Sequence, residues 1–109
     1  MTLKNYTQHD INLYRVMDGE EVVDVIESNG VARCDMQRVL YSNLMGIPFY
    51  KNKLGEVYGL PKIEADTLLI VSRIVAEALK GVRNDLIIVD DTVRDEKNRI
   101  IGCRGFAFV

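Results

Sequence analysis

The segment Thr67–Asp85, TLLIVSRIVAEALKGVRND, constrains the fold more than any other stretch of the chain. Leu68 to Val71 are apolar, half of them β-branched, and stand between Asp66 and Ser72, which predicts a short buried strand. Ser72 is a preferred N-cap residue, because its hydroxyl accepts from an otherwise unpaired amide of a first helical turn. Ile74, Val75, Ala78 and Leu79 then recur on one helical face, with Arg73, Glu77 and Lys80 on the remainder. Gly81 suits the left-handed residue that ends a helix. So short a helix needs packing on a sheet to persist. Its first turn exposes free N–H groups and a partial positive charge that anions favour.

At 109 residues the chain predicts one domain. A 48% share of apolar residues supplies a core and argues against disorder. The net charge of −2 argues against binding duplex nucleic acid by electrostatics. No run is long enough to span a bilayer, and the opening MTLKNYTQHD lacks the apolar stretch of a signal peptide. Cys34 and Cys103 are far apart and outside any metal-ligand spacing, so they read as free thiols of a reduced, cytosolic protein.

Before the central segment, the pattern predicts strands over Tyr6–Val16, Glu21–Ile26 and Val31–Met36, joined by turns at Asp18-Gly19 and Ser28-Asn29-Gly30. That is an antiparallel meander. Gln37–Leu44 fits either a helical turn or a strand. Ile47–Tyr50 and Glu56–Tyr58 read as short strands around a polar loop, Lys51–Gly55, with Gly59-Leu60-Pro61 closing the region. After the helix, Leu86–Val89 reads as a buried strand broken by Asp90-Asp91. A hairpin over Thr92–Phe108 turns at Glu96-Lys97-Asn98. Gly102 and Gly105 mark a bulge or a close backbone approach. The expected class is α+β, a mostly antiparallel sheet or partly closed barrel with one main helix at about 72–80.

The arginines are the main functional signal. Arg33, Arg73, Arg83, Arg94 and Arg104 lie at element ends or among small and polar residues, and the guanidinium fork suits phosphate. With Ser72 as a further phosphate contact and Asp85 as an acceptor for a hydroxyl or base edge, they form the expected ligand site, if they converge. His9 is an outside candidate. Pairing of Arg83 with Asp85 and of Arg94 with Asp95 is the competing structural reading. Cys103 alternates with Arg104 across a strand, so it reads as an inward, inert thiol. No P-loop, dinucleotide fingerprint or metal motif occurs, and neither cofactor nor metal is expected.

The motifs Asn5-x-Thr7-x-His9-x-Ile11, Gly30-x-Ala32-Arg33, Gly59-Leu60-Pro61, Ile70-Val71-Ser72, Arg83-Asn84-Asp85, Val93-Arg94-Asp95 and Ile101-Gly102-Cys103-Arg104 resemble a family of small uncharacterised proteins from bacteria and their phages. The resemblance covers nearly the whole chain and departs at Gln8 and near Ser28, where proline is expected. It implies no established activity. Its phage setting suggests, by analogy, a sponge that sequesters nucleotide signals of host defence. The leading expectation is therefore a homo-oligomer that binds a phosphorylated or nucleotide small molecule. The alternatives are a protein–protein inhibitor or virion-associated module, and a small nucleotide-processing enzyme acting through His9 or Cys103.

Overall fold

The computed structural model describes residues 1–14 and 22–109. Its strands are β1 (Thr2–Asn5), β2 (Ile11–Tyr14), β3 (Val22–Ile26), β4 (Arg33–Leu44), β5 (Ile47–Tyr58), β6 (Thr67–Ile70), β7 (Leu86–Arg94) and β8 (Ile100–Ala107), with helix α1 (Arg73–Ala78) between β6 and β7. Six strands form one sheet in the order β1-β6-β7-β8-β2-β3, while β4 and β5, among the described residues, pair with each other alone. The sheet is mixed. The pairs β1–β6, β6–β7 and β2–β8 are parallel, and β2–β3 and β7–β8 are antiparallel. Antiparallel partners still outnumber parallel ones, as the sequence pattern leads one to expect, and the parallel pairs arise where a connection such as that through α1 returns the chain to lay β7 alongside β6.

The row of strands curls until its ends meet. Asn5 at the end of β1 bridges Ser28, just past β3, and the Asn29 N–H donates to the Asn5 carbonyl at 2.7 Å. The result is a nearly closed, barrel-like sheet. The Asn5 side chain, wholly buried, holds this seam. Its amide donates to the carbonyls of His9 (2.8 Å) and Ile26 (3.0 Å), and its oxygen accepts from the N–H (2.9 Å) and hydroxyl (2.6 Å) of Thr7. Every polar atom of a buried amide is thus partnered, which avoids the cost of leaving one bare.

Strand alternation explains why the central runs are apolar throughout. Ile70 and Ile87 point inward with Ile11 and Cys103, where Leu68 and Val89 join them. Leu69, Val71, Leu86 and Ile88 point outward and are covered by Val75 and Ala76 of α1. Both faces of the sheet are covered at Leu68–Ile70 and Leu86–Ile88, so neither run spares a polar position. Ser72 caps α1 as its sequence predicts, accepting from the Val75 N–H at 3.4 Å. The helix ends at Ala78, short of Lys80, and buries Val75 and Ala76 rather than Ile74, which stays exposed.

Three further differences from the sequence pattern have local causes. Arg33 onward does not pair with β3, so no three-stranded meander forms. Instead β4 and β5, twelve residues each, make one long hairpin through the stretch expected as a loop at Lys51–Gly55. Its tip, Met45-Gly46, has φ of 56° and 76°, the positive pair that a two-residue hairpin turn requires. The Asp90-Asp91 pair does not end β7. The strand kinks at Asp91, with φ 47°, and runs on to Arg94 outside the buried region. The turn expected at Asp18-Gly19 lies outside the described residues. Between β2 and β8 the expected close approach is present: a Cβ on Gly102 would sit 2.4 Å from the Asn12 carbonyl oxygen. No helix among the described residues is long and apolar enough to cross a membrane.

Candidate functional site

The carboxyl ends of β1 and β6 open into a cavity of about 480 Å³. Parallel strands commonly bind ligands at this end, because the chain leaves the sheet there and side chains fan outward. Val71, Ile88, Val89 and Ile101 supply apolar wall. Thr7, His9, Asp10, Asn12, Ser72 and Arg73 supply the polar part. Its size falls in the range of roughly 300–1,000 Å³ usual for small-molecule sites.

Several of these polar groups already hold the fold. The Thr7 hydroxyl has one hydrogen, which the Asn5 side-chain oxygen at 2.6 Å takes in preference to the His9 carbonyl at 3.0 Å. Asp10 accepts from the Ser28 N–H at 2.8 Å, and Asn12 donates to the Ile101 carbonyl at 3.0 Å. Ser72 is occupied as a helix cap. Among the described residues, what remains for a ligand is the exposed His9 imidazole and the Arg73 guanidinium. Arg73 makes only a 3.5 Å contact to Glu77 in solvent, and such exposed pairs are weak and exchangeable. With six residues, α1 also contributes less axial dipole than a longer helix would.

The structure therefore brings together His9, Ser72 and Arg73, and it does not gather the other candidates with them. Arg33 lines a neighbouring hollow with Tyr6, Thr7 and Tyr58, which Ser72 also borders. Arg104 leans on Asp91 at 3.3 Å. Arg94 donates to the Asn98 carbonyl at 2.9 Å, inside the β7–β8 turn. That turn is organised by Asp95, which accepts from the N–H groups of Lys97 and Arg99 and from the Arg99 side chain, each at 2.9 Å. Those backbone bonds are the main reason that its carboxyl titrates below its ordinary value.

Arg83 and Asp85 are the clearest case of pairing. The guanidinium Nε and Nη2 donate to the two carboxylate oxygens at 2.9 and 2.7 Å, and Nη1 donates to the Pro61 carbonyl at 2.9 Å. Asp85 is buried and Arg83 nearly so. The hydrogen bond lowers the Asp85 pKa against the opposing effect of burial. The Gly59-Leu60-Pro61 and Arg83-Asn84-Asp85 motifs are thus two halves of one clasp, tying the base of the hairpin to the loop before β7. Cys103 has no solvent exposure, and burial pushes its thiol pKa up. Both changes disfavour a nucleophilic thiolate.

Asn5 and the apolar wall are the contributors that sequence reasoning missed. The only signal for Asn5 was its place in the alternating Asn5-Thr7-His9 series. No protein-family model, curated protein or solved structure matches the chain.

Proposed function

We propose that this protein binds a small phosphorylated or nucleotide ligand in the cavity at the carboxyl ends of β1 and β6. The observation that carries the reading is the pairing of an apolar wall with two uncommitted cationic or titratable side chains. Val71, Ile88 and Ile101 suit the flat face of a base. Arg73 and His9 at the rim suit an anionic group. Binding without turnover is the favoured mode, because the buried Cys103 is no nucleophile and His9 has no hydroxyl or thiol set against it as a partner among the described residues. The finer form of the proposal is a sequestering protein for nucleotide signals, of the kind that the phage resemblance suggests.

The test is a thermal-shift panel of mononucleotides, cyclic nucleotides and ADP-ribose derivatives. A ligand present at a hundred times its Kd adds about 2.7 kcal/mol to the folded state. That corresponds to a rise in Tm of roughly 10 °C for a chain of this size. Arg73→Ala and His9→Ala should abolish the shift and leave the melting of the free protein unchanged. No shift with any member of the panel sinks the reading. Recovery of altered nucleotide after incubation would replace binding with catalysis.

A further inference from the structure

The hairpin of β4 and β5 is too long and too bare to be complete by itself. At about 3.3 Å per residue its twelve-residue strands reach roughly 40 Å, in a molecule whose longest dimension is 52 Å. Isolated two-stranded hairpins are at best marginal in water. Eleven of the nineteen exposed large apolar side chains among the described residues lie on it or its turn, with Met45 98% exposed and Tyr41 65%. The whole chain shows the same excess. Its accessible surface is 7887 Å², against about 6,100 Å² for a compact chain of this length. Its radius of gyration is 16.8 Å, against about 13 Å. The surplus of about 1,800 Å² is more than the roughly 800 Å² that each partner contributes to a stable interface.

The register shows which face is short of cover. Cys34 and Val57 are opposite one another and pack on the core under α1. Alternation along β4 continues that face outward through Met36, opposite Leu54, and Leu40, opposite Tyr50. Arg38 and Asn52 lie between these two rungs, and the Arg38 guanidinium stacks over the Tyr50 ring at 4.3 Å. The core's apolar surface therefore runs out along the arm with nothing over it. The other face is more polar near the base, with Gln37 opposite Lys53 and Val39 opposite Lys51.

We propose that a second copy of this chain covers this face, arm against arm, as an isologous dimer in which the Met36–Leu54 rung of one copy meets the Leu40–Tyr50 rung of its partner. A membrane wedge would use the exposed apolar tip, Leu44, Met45 and Ile47, but would leave the Met36–Leu54 and Leu40–Tyr50 rungs behind it uncovered. A copy of the same arm matches their length and spacing, which a two-fold contact requires. Stacked arginine and tyrosine suit the centre of such an interface.

Light scattering coupled to size exclusion, over a range of concentrations, tests this. The wild type should run as a dimer. The double substitution Leu40→Asp and Leu54→Asp should weaken dimerisation more than a hundredfold, and Val39→Asp on the opposite face should leave it intact. Circular dichroism confirms that each variant is folded. Should the double variant unfold, hydrogen exchange of the wild type decides instead: β4 and β5 amides should slow as concentration rises. A wild-type monomer overturns the proposal, whether or not it sediments with phosphatidylglycerol vesicles or captures another protein. So does a dimer indifferent to the double substitution, one that Val39→Asp dissociates, or arm amides whose exchange ignores concentration.

Discussion

Replacing Asp85 with asparagine would leave the Arg83 guanidinium in place with half of its fork facing a neutral amide. Arg83 and Asp85 have side chains only 13% and 9% exposed, so solvent screens the pair poorly. Two parallel bonds of 2.9 and 2.7 Å are lost as charge-assisted contacts, while the 2.9 Å bond to the Pro61 carbonyl remains. Removing one partner of a buried pair costs about 3–5 kcal/mol, largely because the other charge is stranded. A residual amide contact argues for the lower end, about 3 kcal/mol, or a fall in Tm of roughly 12 °C. Arg83→Met should cost at least as much, since it also frees the Pro61 carbonyl. The double variant Arg83→Met with Asp85→Asn should be milder than the sum of the two, because no charge is left unpaired. Urea unfolding of all four proteins gives the cycle. The pair also sets a pH dependence. The folded-state pKa of Asp85 lies below its ordinary value, with the Arg83 hydrogen bond as the largest cause. Its contribution is complete above the ordinary carboxylate range and disappears as pH falls through and below it. Asp85→Asn should flatten that acid limb of the stability curve. A loss under 1 kcal/mol at neutral pH, an additive cycle or an unchanged acid limb would refute the clasp.

The remaining expectations concern the seam, the close approach and the thiols. Asn5→Ala removes four hydrogen bonds from a buried site and should cost about 3 kcal/mol in urea unfolding, since each stranded partner carries about 1–3 kcal/mol before water relieves it. Gly102→Ala forces a methyl against the Asn12 carbonyl and the Tyr14 ring, and should destabilise by about 1–3 kcal/mol, read from the shift in Tm. In native protein, iodoacetamide should label half-buried Cys34 well before Cys103, and equal labelling followed by mass spectrometry would contradict the packing described.

The parts of the fold that were legible in the sequence are those where local chemistry and tertiary environment agree. Leu68–Val71 and Leu86–Val89 are apolar at every position because both faces are covered, so a short unbroken run sufficed to identify them. Ser72 announces its cap, and Glu96-Lys97-Asn98 announces its turn. Parallel pairing was hidden, since strand direction depends on which elements lie between strands and leaves little mark on the residues themselves. Among the candidate residues, sequence distance misled. Arg83 and Asp85 are two apart and find each other, whereas the five arginines, scattered along the chain, take separate local partners or surfaces rather than one hollow.

The β4–β5 arm shows why the rest was not legible. Its lysines, asparagines and glycine at Lys51–Gly55 carry the composition of a loop, and in a sheet with one buried face that inference would have held. On a two-stranded arm almost every side chain meets solvent in the single chain, so polar residues interrupt nothing and the backbone ladder alone sets the strand. The apolar residues interleaved with them then lack a local explanation. Within one chain Met36, Leu40, Tyr50 and Leu54 lie uncovered on a face that continues the core. A pattern of alternation that has no inside in the monomer acquires one only when another surface is laid against it. In the proposed dimer the arm's two faces would differ in environment, which is what its sequence lacks in the single chain, where both faces meet solvent.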